Sequence, residues 1–545
     1  MEERIRKAIE DALAQAGAGS VPFVVERPGD MAHGDYATNA ALIAAKQLGK
    51  NPRELADELA PRLKDALGAH VESVSVAGPG FINITLSRQV IAHIIEAAGR
   101  EDWGKGTANA GKRIMAEYTD PNPFKEMHIG HLMSNVIGEA VARVTEYSGA
   151  DVMRASFQGD VGPHVAKAVW ALQKKGITDP GSAKEIGDAY AHGAQAYEKS
   201  EDAKKEIDAI NTALYEGTDE ALMELWRKGR DVSLDAFEDL YRILGTKFEY
   251  YFFESETAGI GTDIVKEHIG TVFTESEGAV VYEGEKKGLH TLVFITSRGT
   301  PTYETKDIGL AFAKEEAWPS DESIVLTAAE QIGHFKVMLA ALEDIAPALA
   351  KKTVHIPHGF LRLTTGKMSS REGNVITAES LVRDVTEQAL TRNEDPVIAG
   401  QVALAAIKYS ILRQSAGSDI IFDFEKSLSL EGDSGPYLQY AYVRAKKILS
   451  YSDGSGGSEE PDAPYALERL IIHFPETVAR ASRERAPHHI AQYLTELAAR
   501  WNSFYASEQV LGSPEEEYKK RMAAAFARTM QNGLWMLGIP TPEKM

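Results

Sequence analysis

The sequence predicts an α/β protein in which a parallel-sheet domain lies between an N-terminal α+β domain and a C-terminal all-α domain. Strand and helix patterns alternate from Arg113 onward and again over ESIVLTAAEQIGHFKVMLAALE, an order typical of parallel sheets covered by helices. Beyond residue 386, apolar residues recur at helical spacing, as in VALAAIKYSIL and PYLQYAYVRAKKIL. At 545 residues the chain is long enough for two to four domains.

Composition favours a soluble enzyme that functions without a membrane. Apolar residues make up 43% and charged residues 26% of the chain, and no apolar run approaches the roughly 20 residues that span a bilayer. The first helix, MEERIRKAIEDALAQAG, is amphipathic and lacks the apolar core of a signal peptide. The absence of cysteine excludes disulfides and thiolate zinc sites and suits a reducing compartment, so we expect a cytoplasmic protein.

The formal net charge of −21 argues only weakly against a nucleic-acid partner. A large enzyme can keep an acidic surface and still concentrate bases on one face. The stretches RAKKIL and ARASRERAPHH are two such local concentrations, although each alone is more typical of a solvated helix face.

Three domains follow from the order of patterns along the chain. Residues 1–98 combine helices with HVESVSVAGPGFINITLS, whose alternation predicts a β-hairpin, and the glycine-rich REDWGKGTANAGKR ends this unit. Residues 110–385 form the parallel-sheet domain, with helical and β insertions over about 176–300. Residues 386–545 form the helical domain.

The stretch PNPFKEMHIGH places His128 and His131 three residues apart, where the first strand turns into a helix. A helix N-terminus offers free N–H groups and the positive end of the helix dipole, which favours an anionic ligand. An isolated H-x-x-H motif is more often a polar pair at a helix start, so this motif needs support from the rest of the chain. That support comes from KTVHIPHGFLRLTTGKMSSREGNVIT, a strand followed by a loop rich in glycine, serine and lysine.

Together, HIGH at the first βα turn and KMSS after a late strand resemble the paired signature of class I aminoacyl-tRNA synthetases. Further segments resemble arginyl-tRNA synthetases in particular: HGDYATNAAL, GPGFINITLS, AEYTDPNPFKEMHIGH, YETKD, GDSGPYLQYAYVRA and the final LGIPTPEKM. The resemblance implies a Rossmann-like catalytic domain, an N-terminal add-on domain that meets the tRNA D-loop, and a helical anticodon-binding domain. It also implies three substrates: ATP, L-arginine and tRNA(Arg).

The family resemblance places four groups at the nucleotide phosphates: His128, His131, Lys125 and Lys367. It also assigns ATP-binding positions to Gly130, His334, Met368 and Ser369. This chain departs from the usual K-M-S-K-S pattern, because Ser370 stands where the second lysine is common. Relatives that lack that lysine carry one at the position of Lys125, which is the expected replacement, and Arg371 is the alternative.

A guanidinium is a planar fork of donors that carboxylates match best. The resemblance assigns the arginine pocket to Glu117, Asn122, Tyr303, Asp307 and Gln331, and Tyr303 and Asp307 would share a face if YETKD is helical. Asp120 is a departure, since relatives often have serine there.

Contacts with tRNA are expected in the first and last domains. The resemblance assigns Phe81 and Asn83 to the D-loop, with core packing as the rival interpretation for Phe81. It also assigns Tyr440 and Arg444, with Lys447 on the same helical face, to the tRNA backbone. Trp501, Tyr505 and Met545 lie in the anticodon-binding region, but aromatic residues at helical spacing are more often core.

The remaining expectations concern cofactors and rival functions. We expect Mg2+ to enter bound to ATP, because the sequence shows no clustered protein ligands, and we expect no zinc and no organic prosthetic group. We also expect no DNA partner, no membrane partner and a monomer. The alternatives are another class I synthetase, of lysyl or glutamyl type, and a non-catalytic tRNA-binding relative.

Overall fold

The computed structural model describes residues 1–364, 376–451 and 456–545. The N-terminal domain is an antiparallel sheet of order β1-β2-β4-β3 covered by helices, as the hairpin pattern predicts. Its elements are α1 Glu2–Gln15, β1 Val25–Glu26, β2 Tyr36–Thr38, α2 Ala40–Leu48, α3 Pro52–Leu67, β3 Val71–Ala77, β4 Phe81–Leu86 and α4 Arg88–Ala98. Apolar side chains from α1, α3 and β4 meet in its core, including Ile9, Leu55 and Ile84.

The central domain is built on a parallel sheet of order β12-β11-β5-β6-β7. Its elements are β5 Arg113–Glu117, α5 Ile129–Tyr147, β6 Asp151–Gln158, α6 Pro163–Lys174, α7 Ala183–Lys199, α8 Glu201–Glu216, α9 Glu220–Leu244, β7 Tyr250–Phe253, α10 Glu254–Glu267, β8 Thr274–Ser276, β9 Ala279–Tyr282, β10 Leu292–Ile295, α11 Tyr303–Ala317, β11 Glu322–Ala328, α12 Ile332–Ile345, α13 Pro347–Lys352, β12 Thr353–His358, β13 Leu361–Leu363 and α14 Ala378–Leu390. From β5 the chain continues to β6, which lies on one side of β5 in the sheet, whereas β11 and β12 lie on the other side of β5. This reversal opens a crevice at the carboxyl ends of β5 and β11, where ligands bind in such sheets.

Two insertions interrupt the parallel sheet between β6 and β11. Helices α7, α8 and α9 pack with α6 around a separate apolar core that includes Val165, Ile207 and Trp226. Strands β8, β9 and β10 form a small antiparallel sheet that packs near α12, with Phe273 and Phe294 buried in its core. The structure therefore contains the helical and the β insertion that the sequence predicts.

Over residues 396–451 and 456–545, the structure is mainly helical and includes one short strand. Its elements are α15 Pro396–Leu412, β14 Ile420–Phe422, α16 Phe424–Ser427, α17 Gly435–Ser450, α18 Ala466–Ile471, α19 Phe474–Glu484, α20 His488–Ser507 and α21 Glu516–Met536. Strand β14 pairs in parallel with β13 of the central domain, at Leu361↔Ile420 and Leu363↔Phe422. The expected start of the helical domain at residue 386 therefore lies ahead of a strand pair that still belongs to the central domain.

Helix α5 connects the crevice to the rest of the protein. It begins beside the sheet, and most of its residues are buried against the sheet, α15, α19 and α21. The N-terminus of α5 is thereby held in a fixed position at the crevice.

Candidate active site

The paired histidines form the cap of helix α5. The Nδ1 of His128 accepts the Gly130 N–H at 3.0 Å, and the Nδ1 of His131 accepts the His128 N–H at 3.3 Å. The two rings stack with their centroids 3.8 Å apart and their planes at 18°. The prediction that both imidazoles lie together at the helix start is confirmed.

This cap decides which ring nitrogens remain available. Since each Nδ1 accepts a backbone N–H, each neutral ring carries its proton on Nε2, where it can be donated to a ligand. Burial lowers the pKa of His128, and it lowers the pKa of His131 well below its usual range, with Lys125 adding to both effects. The arrangement therefore offers two N–H donors beside a helix N-terminus, which suits phosphate oxygens.

The loop that leads from β5 to this helix has an unusual backbone. Thr119, Asp120 and Phe124 have φ of 79°, 47° and 67°, in the left-handed region that residues with a side chain rarely adopt. The Thr119 N–H donates to Ser134 Oγ at 3.0 Å, and Asp120 Oδ1 accepts the Phe157 N–H at 2.8 Å. Contacts with other elements therefore hold the loop in this shape.

Asp120, noted as a departure from relatives, has a structural partner in the Phe157 N–H. Burial raises the pKa of its carboxyl well above the usual range, and the nearby Glu117 adds to the shift. Its contacts place it at the end of β6, beside the crevice.

The acids expected in the arginine pocket are paired with cations of the protein. Glu117 Oε2 lies 2.5 Å from Lys314 Nζ, and both side chains are buried. Asp307 Oδ2 lies 2.5 Å from His334 Nε2, and His334 Nδ1 lies 3.2 Å from Glu304 Oε1. A ring that faces a carboxylate from both nitrogens carries both protons.

Charge and burial act in opposite directions on His334. Burial lowers its pKa, but hydrogen bonds to Asp307 and Glu304 outweigh this effect and raise the pKa to about 10. His334, expected near the nucleotide, thus lies against the acid expected to recognise arginine. A small cavity between α11, α12 and the sheet joins Glu117 and Asp307; its lining also includes Leu310, Lys314, Phe335 and Met338.

The other three residues expected in the arginine pocket do not line this cavity. Tyr303 is the first residue of α11 and is 65% exposed, and it lies one turn before Asp307, so the shared helical face is confirmed. Asn122 lies over Gly159, where a methyl group would collide with its Oδ1. Gln331 is exposed just before α12 and follows the carboxyl end of β11.

The second signature lies outside the described residues, and so do Lys367, Met368, Ser369, Ser370 and Arg371. The chain that follows it returns to the histidines. Ala378 N–H donates to the Met127 carbonyl at 2.8 Å, and Ile129 N–H donates to the Ile376 carbonyl at 3.2 Å. The stretch after the signature therefore pairs with the backbone on both sides of His128.

The positions expected to meet tRNA differ in exposure. Phe81 is 38% exposed at the start of β4, which argues against core packing, whereas Asn83 is 7% exposed in the same strand. In the helical domain, the Arg444 guanidinium lies 4.4 Å from the Tyr440 ring centroid and 5.0 Å from that of Tyr505. This cluster joins α17 to α20 at the surface.

Two aromatic residues on α20 have opposite environments. Trp501 is fully buried and stacks on Phe526 with ring centroids 4.5 Å apart, whereas Tyr505 is 42% exposed. Trp501 is therefore a core residue, as the general rule for aromatics at helical spacing suggests.

Met545 ends the chain and is partly exposed, and Lys447 is exposed.

Sequence reasoning missed the lysines that balance the acids. Lys314 contacts Glu117, and Lys306 Nζ lies 2.6 Å from Glu254 Oε2 and 5.3 Å from the Tyr303 ring centroid. A signal was present, because Lys306 is part of YETKD and Lys314 lies two helical turns beyond Asp307. Glu304, in the same motif, was also missed.

Within residues 1–364, 376–451 and 456–545, no three His, Asp or Glu side chains are grouped so as to hold a metal ion. No helix within these ranges has the length and apolarity needed to cross a membrane.

Comparisons with known proteins agree along the whole chain. Residues 94–424 match the catalytic domain of class I (R) tRNA synthetases, residues 3–86 the arginyl tRNA synthetase N-terminal domain, and residues 438–545 the DALR anticodon binding domain. The arginine–tRNA ligase of Chromobacterium violaceum is 32% identical over 576 residues, covering 100% of both chains. That of Fusobacterium nucleatum is 32% identical, covering 94% of this chain and 93% of its own.

A solved structure supports the same conclusion. The arginyl-tRNA synthetase of Thermus thermophilus superposes with a TM-score of 0.83 and 29% identity, covering 100% of both chains. The parallel sheet, the histidine-capped helix and the helical domain define a class I aminoacyl-tRNA synthetase. Within that class the chain belongs to the arginyl-tRNA synthetase family, whose members join arginine to its tRNA with ATP. Neither a lysyl or glutamyl enzyme nor a non-catalytic relative is favoured.

Proposed function

We propose that the crevice at the carboxyl ends of β5 and β11 joins L-arginine to tRNA(Arg) in two steps. In the first, an oxygen of the arginine carboxylate attacks the α-phosphate of ATP, and the bond to pyrophosphate breaks. In the second, the terminal ribose hydroxyl of the tRNA attacks the arginyl carbonyl, loses its proton, and AMP leaves. The observation that carries this proposal is that His128 and His131 cap a helix through Nδ1, which leaves two Nε2–H donors beside a pocket of carboxylates.

Donors at the start of α5 serve the nucleotide half of the site. His128 and His131 donate from Nε2 to phosphate oxygens, and Gly130 leaves room for the His128 ring, whose Cε1 would lie 2.8 Å from a methyl group there. We assign Lys125 and Lys367 to the departing pyrophosphate, where they add ammonium charge, and Met368 and Ser369 to ATP binding. Donors aimed in advance at developing charge lower a barrier more than donors that must reorient.

Carboxylates on β5 and α11 serve the arginine half. Asp307 and Glu117 face one small cavity, and a guanidinium there would meet acids at hydrogen-bond distance. Tyr303 lies one turn before Asp307 at the start of α11, and we assign Asn122 and Gln331 to the α-amino group. Since a neutral urea group cannot satisfy those acids, citrulline is rejected.

Magnesium enters as the ATP complex. The groups that face the phosphates are imidazole N–H donors and an ammonium, which suit phosphate oxygens and repel a cation. The ion would supply charge neutralisation to the phosphates, and the protein residues hold the oxygens that it leaves free.

The two outer domains hold the tRNA. Phe81 offers an exposed aromatic plane to an unstacked base of the D-loop, with Asn83 in the same strand. The surface cluster of Tyr440, Arg444 and Tyr505 combines stacking with a positive charge, which suits single-stranded nucleotides. The protein acts as a monomer in the cytoplasm, without DNA or membrane partners.

The test is ATP–pyrophosphate exchange with each amino acid, with and without tRNA(Arg). We expect exchange with arginine only, because the carboxylate pocket rewards a forked cation over the point charge of lysine. Each assay includes a parallel with tRNA(Arg), since some synthetases activate their amino acid only when tRNA is bound. Equal exchange with lysine would remove the arginine assignment.

A further inference from the structure

Three consecutive residues ahead of the paired histidines, Phe124, Lys125 and Glu126, all contact the helical insertion. The insertion comprises α7, α8 and α9, and the sequence offers no role for it. Phe124 is fully buried, and its ring fills the space beside Gly229 of α9, where a methyl group would collide with the ring. The Phe124 N–H donates to Ser233 Oγ on the same helix at 3.0 Å.

The next two residues contact helix α7. The Lys125 ammonium lies 4.8 Å from the centroid of the Tyr190 ring. The Glu126 side chain lies along the backbone at Gly187, where a methyl group would be 3.3 Å from its Cγ. The loop is therefore seated on one side by α9 and on the other by α7.

The backbone of the loop shows why such support matters. Phe124 has φ 67°, a left-handed conformation that a residue with a side chain rarely adopts unless surrounding contacts hold it there. The insertion supplies both the pocket for the ring and the acceptor for the backbone N–H. Without these contacts Lys125 would lose its fixed direction.

The contact of Lys125 with a tyrosine ring has a chemical consequence. Elsewhere in the site, the carboxylates of Glu254 and Glu117 contact Lys306 and Lys314 and neutralise the charge of these lysines. An aromatic ring attracts an ammonium through its quadrupole but carries no net charge. Lys125 is thus positioned while its full charge stays available to an anion.

We propose that the helical insertion positions the nucleotide-binding loop, with Tyr190 directing the Lys125 ammonium and Gly229 with Ser233 seating Phe124. Tyr190 is a positioning residue that acts through Lys125. The inference rests on the proposed function, in which Lys125 meets the ATP phosphates.

The test is a double-mutant cycle on the full-length enzyme. Tyr190→Leu should lower the rate of arginine-dependent ATP–pyrophosphate exchange, measured with tRNA(Arg) present, by about 3- to 10-fold. Tyr190→Phe keeps the ring and should stay near the parent rate. In a Lys125→Ala background, Tyr190→Leu should cause no further loss.

A matched control exists on the same helix. The Tyr197 ring lies 4.6 Å from Lys167 Nζ, so Tyr197→Leu removes an equivalent contact away from the loop and should leave the exchange rate unchanged. Ser233→Ala tests the α9 side and should lower the rate several-fold. Thermal unfolding of each variant shows whether a loss of rate comes from a loss of fold.

Each outcome of these measurements supports or overturns the positioning role of Tyr190. Tyr190→Leu at the parent rate, with Lys125→Ala slowed, overturns the positioning role and leaves the proposed function intact. Equal losses from Tyr190→Leu in the parent and the Lys125→Ala background also overturn it, because the ring would then act through another group. Lys125→Ala at the parent rate overturns the phosphate role of Lys125 and this inference together.

Discussion

In the proposed function, the two halves of the site meet their substrates in different states. On the nucleotide side, His128 and His131 are neutral, and their Nε2 donors are set by a backbone cap. On the arginine side, Glu117 and Asp307 are already bound to Lys314 and His334. The first half is preorganised, whereas the second must exchange an internal cation for a guanidinium. Changes on the nucleotide side should therefore reduce the rate, and changes on the arginine side should raise the KM for arginine.

The largest effect is expected at the histidine cap. Asparagine is a good N-cap, so His128→Asn keeps the helix start but removes the imidazole donor. Loss of one preorganised donor should lower the kcat of ATP–pyrophosphate exchange by about 10²- to 10³-fold, with the KM for arginine little changed. Exposed His93 gives the control, His93→Asn. If His128→Asn exchanges at the parent rate, His128 only caps the helix and its role as a donor to phosphate is contradicted.

Lys125→Ala should come next, with a fall of about 10²-fold in the same assay with tRNA(Arg) present. The folded structure should be unaffected, since the side chain is only partly buried. Ser370→Lys restores the lysine common in the second signature and should recover part of the rate in the Lys125→Ala background. If Lys125→Ala exchanges at the parent rate, Arg371 becomes the group to test.

Asp307→Asn examines the arginine half. Replacing a charged acceptor by a neutral amide should raise the KM for arginine by about 10- to 10²-fold while the KM for ATP stays near the parent value. Asp151, exposed at the amino end of β6, offers the control Asp151→Asn. A variant that loses affinity for ATP but keeps it for arginine would show that Asp307 belongs to the nucleotide half of the site.

The smallest effect is expected for His334→Gln, and it should depend on pH. The folded pKa of His334, about 10, exceeds the ordinary value of 6.5, so its stabilisation is complete below about pH 6.5 and is lost as the pH rises towards 10. The difference in free energy of unfolding between parent and His334→Gln should shrink over that window. Chemical denaturation at pH 6, 8 and 10 measures it, and a difference independent of pH would contradict the charged pair.

Local spacing made much of the site predictable. The position of His128 and His131 follows from a helix that begins after a strand, and the shared face of Tyr303 and Asp307 follows from helical periodicity. The class of fold follows from the alternation of strands and helices. These features depend on neighbours within a few residues, which a linear pattern records.

Exposure was harder to predict. Trp501 and Tyr505 lie one turn apart on α20, yet the first is fully buried on Phe526 and the second stacks near Arg444 at the surface. Both are aromatic residues at helical spacing, and the pattern alone does not distinguish them. Their environments depend on which helices pack against α20, and that is a property of the whole domain.

Residues distant in the chain meet where the sequence shows no periodic signal. Lys314 reaches Glu117 across 197 residues, His334 reaches Asp307 across 27, and Ser233 accepts the N–H of Phe124 across 109. The order of strands and helices predicted the sheet edge at which we place the ligands and the helix that begins with the histidines, and the family resemblance pointed to the acids. The counter-ions of those acids and the support of the loop were decided by packing, because burial of a charge or of a strained backbone requires a partner that only the folded chain brings near.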